Sequence, residues 1–81
     1  MPTINVRFFA AAREAFGARE SQIRAGSVEE LVNTLAEAAD PQAATVLSRS
    51  SFLVNSVAAT DRSVALSDGD TVDVLPPFAG G

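Results

Sequence analysis

The stretch from Gly26 to Pro41 limits the folds open to this chain more than any other. Ser27 stands three residues before Glu30, the spacing at which a serine hydroxyl and a glutamate carboxylate satisfy otherwise free N–H groups of a first turn, so a helix starts here. Acids at positions 29 and 30 also suit the positive end of a helix dipole, so this pair has a structural reason to be where it is. Val28, Leu31, Val32, Leu35 and Ala39 then recur at helical spacing and form one apolar stripe. Asp40-Pro41 stops the helix, because the residue before a proline is pushed out of the α region.

A striped helix needs an apolar surface to cover, and the segment at 3–9 offers one. Ile4, Val6 and Phe8 alternate with polar residues, the period of a half-buried strand, and should face the stripe. By the same parity Phe9 points outward with Asn5 and Arg7. Residues 10–16 are strong helix formers followed by Gly17, a helix C-cap. Residues 19–24 read as an exposed edge strand with Ser21 and Ile23 on one face. Residues 41–51 suggest a second short helical piece, with Ala43, Ala44, Val46 and Leu47 turned inward, and then a Ser-rich loop.

Phe52-Leu53-Val54-Asn55 is a short apolar strand, and Asn55-Ser56 offers the turn chemistry of a hairpin whose second strand would cover 57–60. In Ser67-Asp68-Gly69-Asp70, Gly69 can take positive φ while the aspartates bond local backbone amides. That is too few oxygens at alternating positions for a calcium loop. Residues 71–75 close the fold as a strand with Val72 and Val74 inward and Asp73 and Leu75 outward. The most hydrophobic strands come first and last, which suggests a mixed sheet with those two as parallel neighbours at its centre. Phe9 and Leu75 then end adjacent strands on the same outward face.

Beyond them the chain reads Pro76-Pro77-Phe78-Ala79-Gly80-Gly81. Two prolines end the strand and send the chain out extended, and two glycines let its backbone enter a narrow channel. From Pro77 onward the reach is on the order of 17 Å when fully extended. From these residues alone the tail is either functional or a frayed terminus.

Composition narrows the chemistry. Among 81 residues there is no Cys, His, Lys, Tyr or Trp. Thiol nucleophiles, disulfides, imidazole bases, Schiff-base lysines and zinc sites built on thiolate or imidazole are all excluded. A chain this short also has little room for a deep catalytic cavity. Its net charge of -4, with no run of cations, argues against nucleic acid and anionic membranes and suits a basic surface on a partner. No basic segment precedes an apolar run at the amino terminus, so the cytoplasm is the expected compartment.

Several of these features occur together in one known family. Val6-Arg7-Phe8-Phe9-Ala10 with Arg13-Glu14 and Gly17, Val54-Asn55, Asp68-Gly69-Asp70 and the Pro-Pro-Phe-Ala-Gly-Gly end resemble the ubiquitin-like sulfur carriers of the MoaD/ThiS group, and most closely the molybdopterin synthase small subunits. The resemblance runs the whole length. It implies an α+β, β-grasp domain over residues 1–75, a mixed sheet of four to five strands with one main helix across it. An extended, flexible tail would follow over residues 76–81. It implies that Gly81 is adenylated and then converted to a thioglycine that gives its sulfur to cyclic pyranopterin monophosphate. Pro76, Pro77, Phe78, Ala79 and Gly80 would enter the partner, with Phe9 and Leu75 at the interface. No cofactor would be bound by this chain and no side chain of its own would catalyse; Mg-ATP would be used by a MoeB-like, E1-like adenylating enzyme. A MoaE-like large subunit would complete a heterotetramer. Transfer of sulfur to thiamine, cysteine or another metabolite stays open, as do protein modification through isopeptide bonds and a plain interaction domain with an inert tail.

Overall fold

A computed structural model of the chain describes residues 1–77. In chain order the elements are β1 (Thr3–Phe8), α1 (Ala11–Phe16), β2 (Glu20–Arg24), α2 (Val28–Ala38), α3 (Pro41–Arg49), β3 (Ser51–Val54), β4 (Val57–Ala58) and β5 (Thr71–Leu75). The five strands make one mixed sheet in the order β2-β1-β5-β3-β4. β1 and β5 run parallel with Arg7 opposite Asp73 and Phe8 opposite Val74, while β3 runs antiparallel to β5 on its other side. The last strand is therefore bonded along both edges.

The alternation in β1 and β5 decides which face is covered. Ile4, Val6, Val72 and Val74 are fully buried, and Phe8 nearly so, against Val28, Leu31, Val32 and Leu35 of α2 and Leu47 of α3. Burying each such side chain contributes about 1.5–3 kcal/mol, so this one layer of contacts dominates the stability of so small a chain. Helix α1 is fixed to the same face by Ala12, fully buried, and by Phe16, whose ring stacks on Phe8 with centroids 4.9 Å apart. Gly17 ends α1 in the left-handed conformation, its N–H donating to the carbonyl of Arg13.

The start of α2 follows the expected cap with one shift. Ser27 Oγ accepts from the Glu30 N–H at 3.2 Å, but the Glu30 carboxylate reaches past Ser27 to the N–H of Gly26, at 2.8 Å. Three further expectations are corrected. Asp40 does more than precede a helix stop: its side chain accepts from the Ala43 N–H at 2.8 Å and caps α3, with Pro41 in the first turn, where a missing N–H costs nothing. No Ser-rich loop follows α3, since Ser48 and Ser50 donate back to helix carbonyls and Ser51 opens β3. Strand β4 has two residues rather than four, beyond a turn in which Asn55 and Ser56 both take positive φ.

Candidate functional site

The two ends of the parallel pair of β1 and β5 are built differently. Where the strands begin, side chains close the structure. Asp68 accepts from the N–H of Thr3 at 2.8 Å, a partner distant in sequence where a local amide was expected. The N–H of Gly69, a residue with φ 88°, donates to the Thr3 carbonyl. Asn55 accepts from the Thr71 N–H and donates to Asp70, both at 3.0 Å. Asp70 also accepts from the Ser67 N–H, and this bond, with the Asn55 amide, holds its carboxyl below the ordinary carboxylate range. These acids have structural work, and among the described residues no group of three or more acidic side chains could hold a metal ion.

Where the strands end, the surface beside Pro76 and Pro77 is largely apolar. The N–H of Phe9 donates to the Val74 carbonyl at 3.3 Å, which carries the parallel ladder one residue past β1 and sets Phe9 beside Leu75. Pro76 and Pro77 follow with no N–H to offer. Phe9, Ala10, Arg49, Ser51, Leu75, Pro76 and Pro77 line a largely apolar pocket of about 330 Å³. Both Phe9 and Leu75 are half-buried on the outward face that their parity gives them. The Arg7 guanidinium lies over the Phe9 ring, 5.5 Å from its centre.

Arg7 is itself held. Its Nε and Nη2 donate to the two oxygens of Asp73 at 2.7 and 3.0 Å, the bidentate geometry that fixes a guanidinium in one orientation. The pairing raises the arginine's pKa further above its already high ordinary value. Asp73 does face outward as its parity requires, yet it is only 5% exposed, because the arginine covers it. Beside this pair, Ala10 has φ 49° and ψ -124°, a conformation costly to any residue with a Cβ. Nothing in an alanine announces that strain, and sequence reasoning missed it.

Phe9, Leu75, Pro76 and Pro77, four of the expected site residues, are thus brought together where the central strands β1 and β5 end. Phe78, Ala79, Gly80 and Gly81 lie outside the described residues. Among the described residues the pocket holds no general base or nucleophile; what it can do is present an apolar platform at the root of residues 78–81.

Comparison with known proteins agrees with this geometry. The ThiS family model matches residues 6–81. No curated protein matches the sequence. The solution structure of SAMP1, the small archaeal modifier protein 1 of Methanosarcina acetivorans, aligns with a TM-score of 0.85 at 22% identity, over 100% of this chain and 98% of that one. The Haloferax volcanii HVO 2177 protein aligns at 0.81 with 29% identity, over 99% of this chain and 87% of that one. A chain from the complex of subunits 1 and 2 of molybdopterin-converting factor of Helicobacter pylori aligns at 0.76 with 26% identity, over 98% and 99%. The likenesses show the ubiquitin-like β-grasp fold.

Proposed function

This chain belongs to the ThiS family of ubiquitin-like sulfur carriers, and from that premise we propose that it is the sulfur-carrying small subunit of a molybdopterin synthase, with Gly81 as its reacting residue. The observation that carries this reading is the root of the tail: the central strand delivers Pro76 and Pro77 beside Phe9 and Leu75, so a partner that grips the apolar platform is positioned to take the residues that follow. The domain over residues 1–75 is then the handle and residues 76–81 the working part.

The chemistry suits a chain without Cys, His or Lys. A carboxylate is a poor electrophile until one oxygen becomes a good leaving group. A MoeB-like activating enzyme supplies that step: the Gly81 carboxylate attacks the α-phosphorus of Mg-ATP and pyrophosphate leaves. Sulfur from a persulfide then displaces AMP, and a thiol cleaves the remaining S–S bond to release the thiocarboxylate. Docked on a MoaE-like large subunit, in a heterotetramer, that soft nucleophile gives its sulfur to cyclic pyranopterin monophosphate. Support for this branch over other sulfur acceptors comes from the Pro-Pro-Phe-Ala approach to the glycines and from the likeness to the Helicobacter pylori complex. The cytoplasm, where ATP is available, is the proposed compartment.

Intact mass after incubation with candidate activating enzymes, ATP and a sulfur source tests the mechanism. The expected product carries one sulfur in place of one oxygen. A chain lacking Gly81, or carrying one residue beyond it, is expected to accept none while melting at the same temperature; full acceptance by either would overturn the mechanism. A ladder of covalent adducts in cell extract, with no thiocarboxylate, would reassign the chain to protein modification.

A further inference from the structure

Charge on the folded chain is skewed between the two ends of the sheet, although Arg24, opposite Thr3, and Arg62, whose carbonyl accepts from the Glu29 N–H, stand at the acidic end, and Asp73 and Glu20 at the other. The end where β1 and β5 begin carries Asp68 and Asp70 in its turn, with Asp61, Glu29 and Glu30 around the start of α2. The tail end carries four of the six arginines, Arg7, Arg13 and Arg19 in one cleft and Arg49 in the apolar pocket. A chain with net charge -4 therefore shows most of its cations beside Pro76 and Pro77.

The cleft, about 540 Å³, is lined by Arg7, Phe8, Phe9, Arg13, Arg19 and Glu20. Three elements of structure supply its arginines, from β1, α1 and the turn into β2. Arg7 is neutralised and oriented by Asp73, whereas Arg13 and Arg19 make no side-chain hydrogen bond or ion pair among the described residues. Phe9 is a wall of both the cleft and the apolar pocket at Pro76 and Pro77, so the cationic and apolar surfaces are continuous.

We propose that this cleft seats an acidic segment of the protein that receives the tail, with carboxylates reaching Arg13 and Arg19 and an apolar group packed on Phe9. A peptide fits better than a compact phosphate for two reasons. The two free guanidinium groups stand on separate elements along an open cleft, and Glu20 lines the same cleft and would repel a concentrated double charge placed at its centre. Carboxylates spread along a strand can meet one arginine each and avoid Glu20. Complementary charge beside an apolar anchor acts chiefly on the rate of encounter and on the choice of partner. That the segment belongs to the partner taking the tail depends on the carrier reading; binding of an acidic peptide in the cleft does not.

Titration of the isotope-labelled full chain with a hexaglutamate peptide at low salt, followed by NMR, reads the cleft directly. Saturable shifts are expected at the side-chain N–H groups of Arg13 and Arg19 and at the amides of Phe9 and Glu20. Arg13→Gln and Arg19→Gln are each expected to weaken binding by about tenfold at unchanged melting temperature, and added salt to weaken it further. No saturable shift, shifts that the variants leave unaltered, or tighter binding of pyrophosphate than of peptide at these residues would overturn the proposal. With an activating enzyme that thiocarboxylates the chain, the double reversal Arg13→Glu, Arg19→Glu is expected to slow association by about tenfold or more at low salt. Association at the wild-type rate would count against the partner assignment. Absence of any thiocarboxylate on the wild-type chain would sink the carrier reading and leave the peptide result standing.

Discussion

The two ends of the pair formed by β1 and β5 consist of the same two strands, yet one end closes the fold and the other leaves it open. At the start of the strands, Asp68, Asp70 and Asn55 satisfy the backbone groups of Thr3, Ser67 and Thr71 from outside the ladder. At their end, two prolines remove donors, Ala10 holds a costly backbone conformation, and Phe9 and Leu75 form an apolar platform. Side-chain bonds to backbone groups collect at the first end. Groups that await a partner collect at the second. Side-chain truncations at the first end should therefore register in stability, and those of the apolar platform at the second in binding.

The largest expected effect lies on the open end. Phe9→Ala and Leu75→Ala should each weaken binding to the proposed activating enzyme and the proposed large subunit by about thirtyfold, the loss of about 2 kcal/mol typical of a buried anchor. Their melting temperatures should change little. Calorimetric titration beside thermal melts checks this, and unchanged affinity in a badly destabilised variant would erase the contrast between the ends. Asn55→Ala is the converse case: it removes two hydrogen bonds of the closed end and puts alanine at φ 49°. A loss of about 2 kcal/mol in denaturant unfolding is expected, with partner affinity unchanged.

Ala10→Gly sharpens the comparison from the open side, because it relieves the strained φ without touching a contact of the core. A gain of about 1 kcal/mol is expected, net of glycine's greater freedom when unfolded. A loss of stability would mean that the Cβ of Ala10 matters more than its backbone. The smallest effect concerns pH. Asp70, and Asp61 through its bonds from Ser63, have carboxyls held below the ordinary value of 3.8. Their contribution is fully present above that value and is lost as pH falls through the lowered one. Melting temperature should thus decline on acidification below about pH 4, and less steeply in Asp70→Asn. An equal slope in the variant would assign acid lability elsewhere.

Much of this contrast was legible in the residues, because it rests on local rules. Alternation set the inward faces of β1 and β5, the Ser27 and Glu30 spacing set the start of α2, and Gly17, Asn55 and Gly69 marked positions of positive φ. What escaped were features whose partners lie far apart in the chain. Asp68 meets Thr3 across 65 residues. Arg7, Arg13 and Arg19 are spaced six apart on a strand, a helix and a turn, so no run of cations betrays the cleft they share. Asp40 was hidden by a different cause: a proline that stops one helix is also well suited to the first turn of the next. Of the site, Phe9 and Leu75 followed from parity, whereas the contact of one arginine with both Phe9 and Asp73 depends on register, which no short window of sequence displays.

Because β5 is bonded to β1 on one side and to β3 on the other, the tail leaves from the middle of the sheet along the direction of its own strand. Tension on Pro77 therefore loads both ladders in shear, with their hydrogen bonds strained together, where the same pull on an edge strand such as β4 would peel bonds one at a time. A partner that draws the tail into a channel, or strains it during transfer, pulls on a strand bonded along both edges, and the domain behind it behaves as a stiff mount rather than a spring.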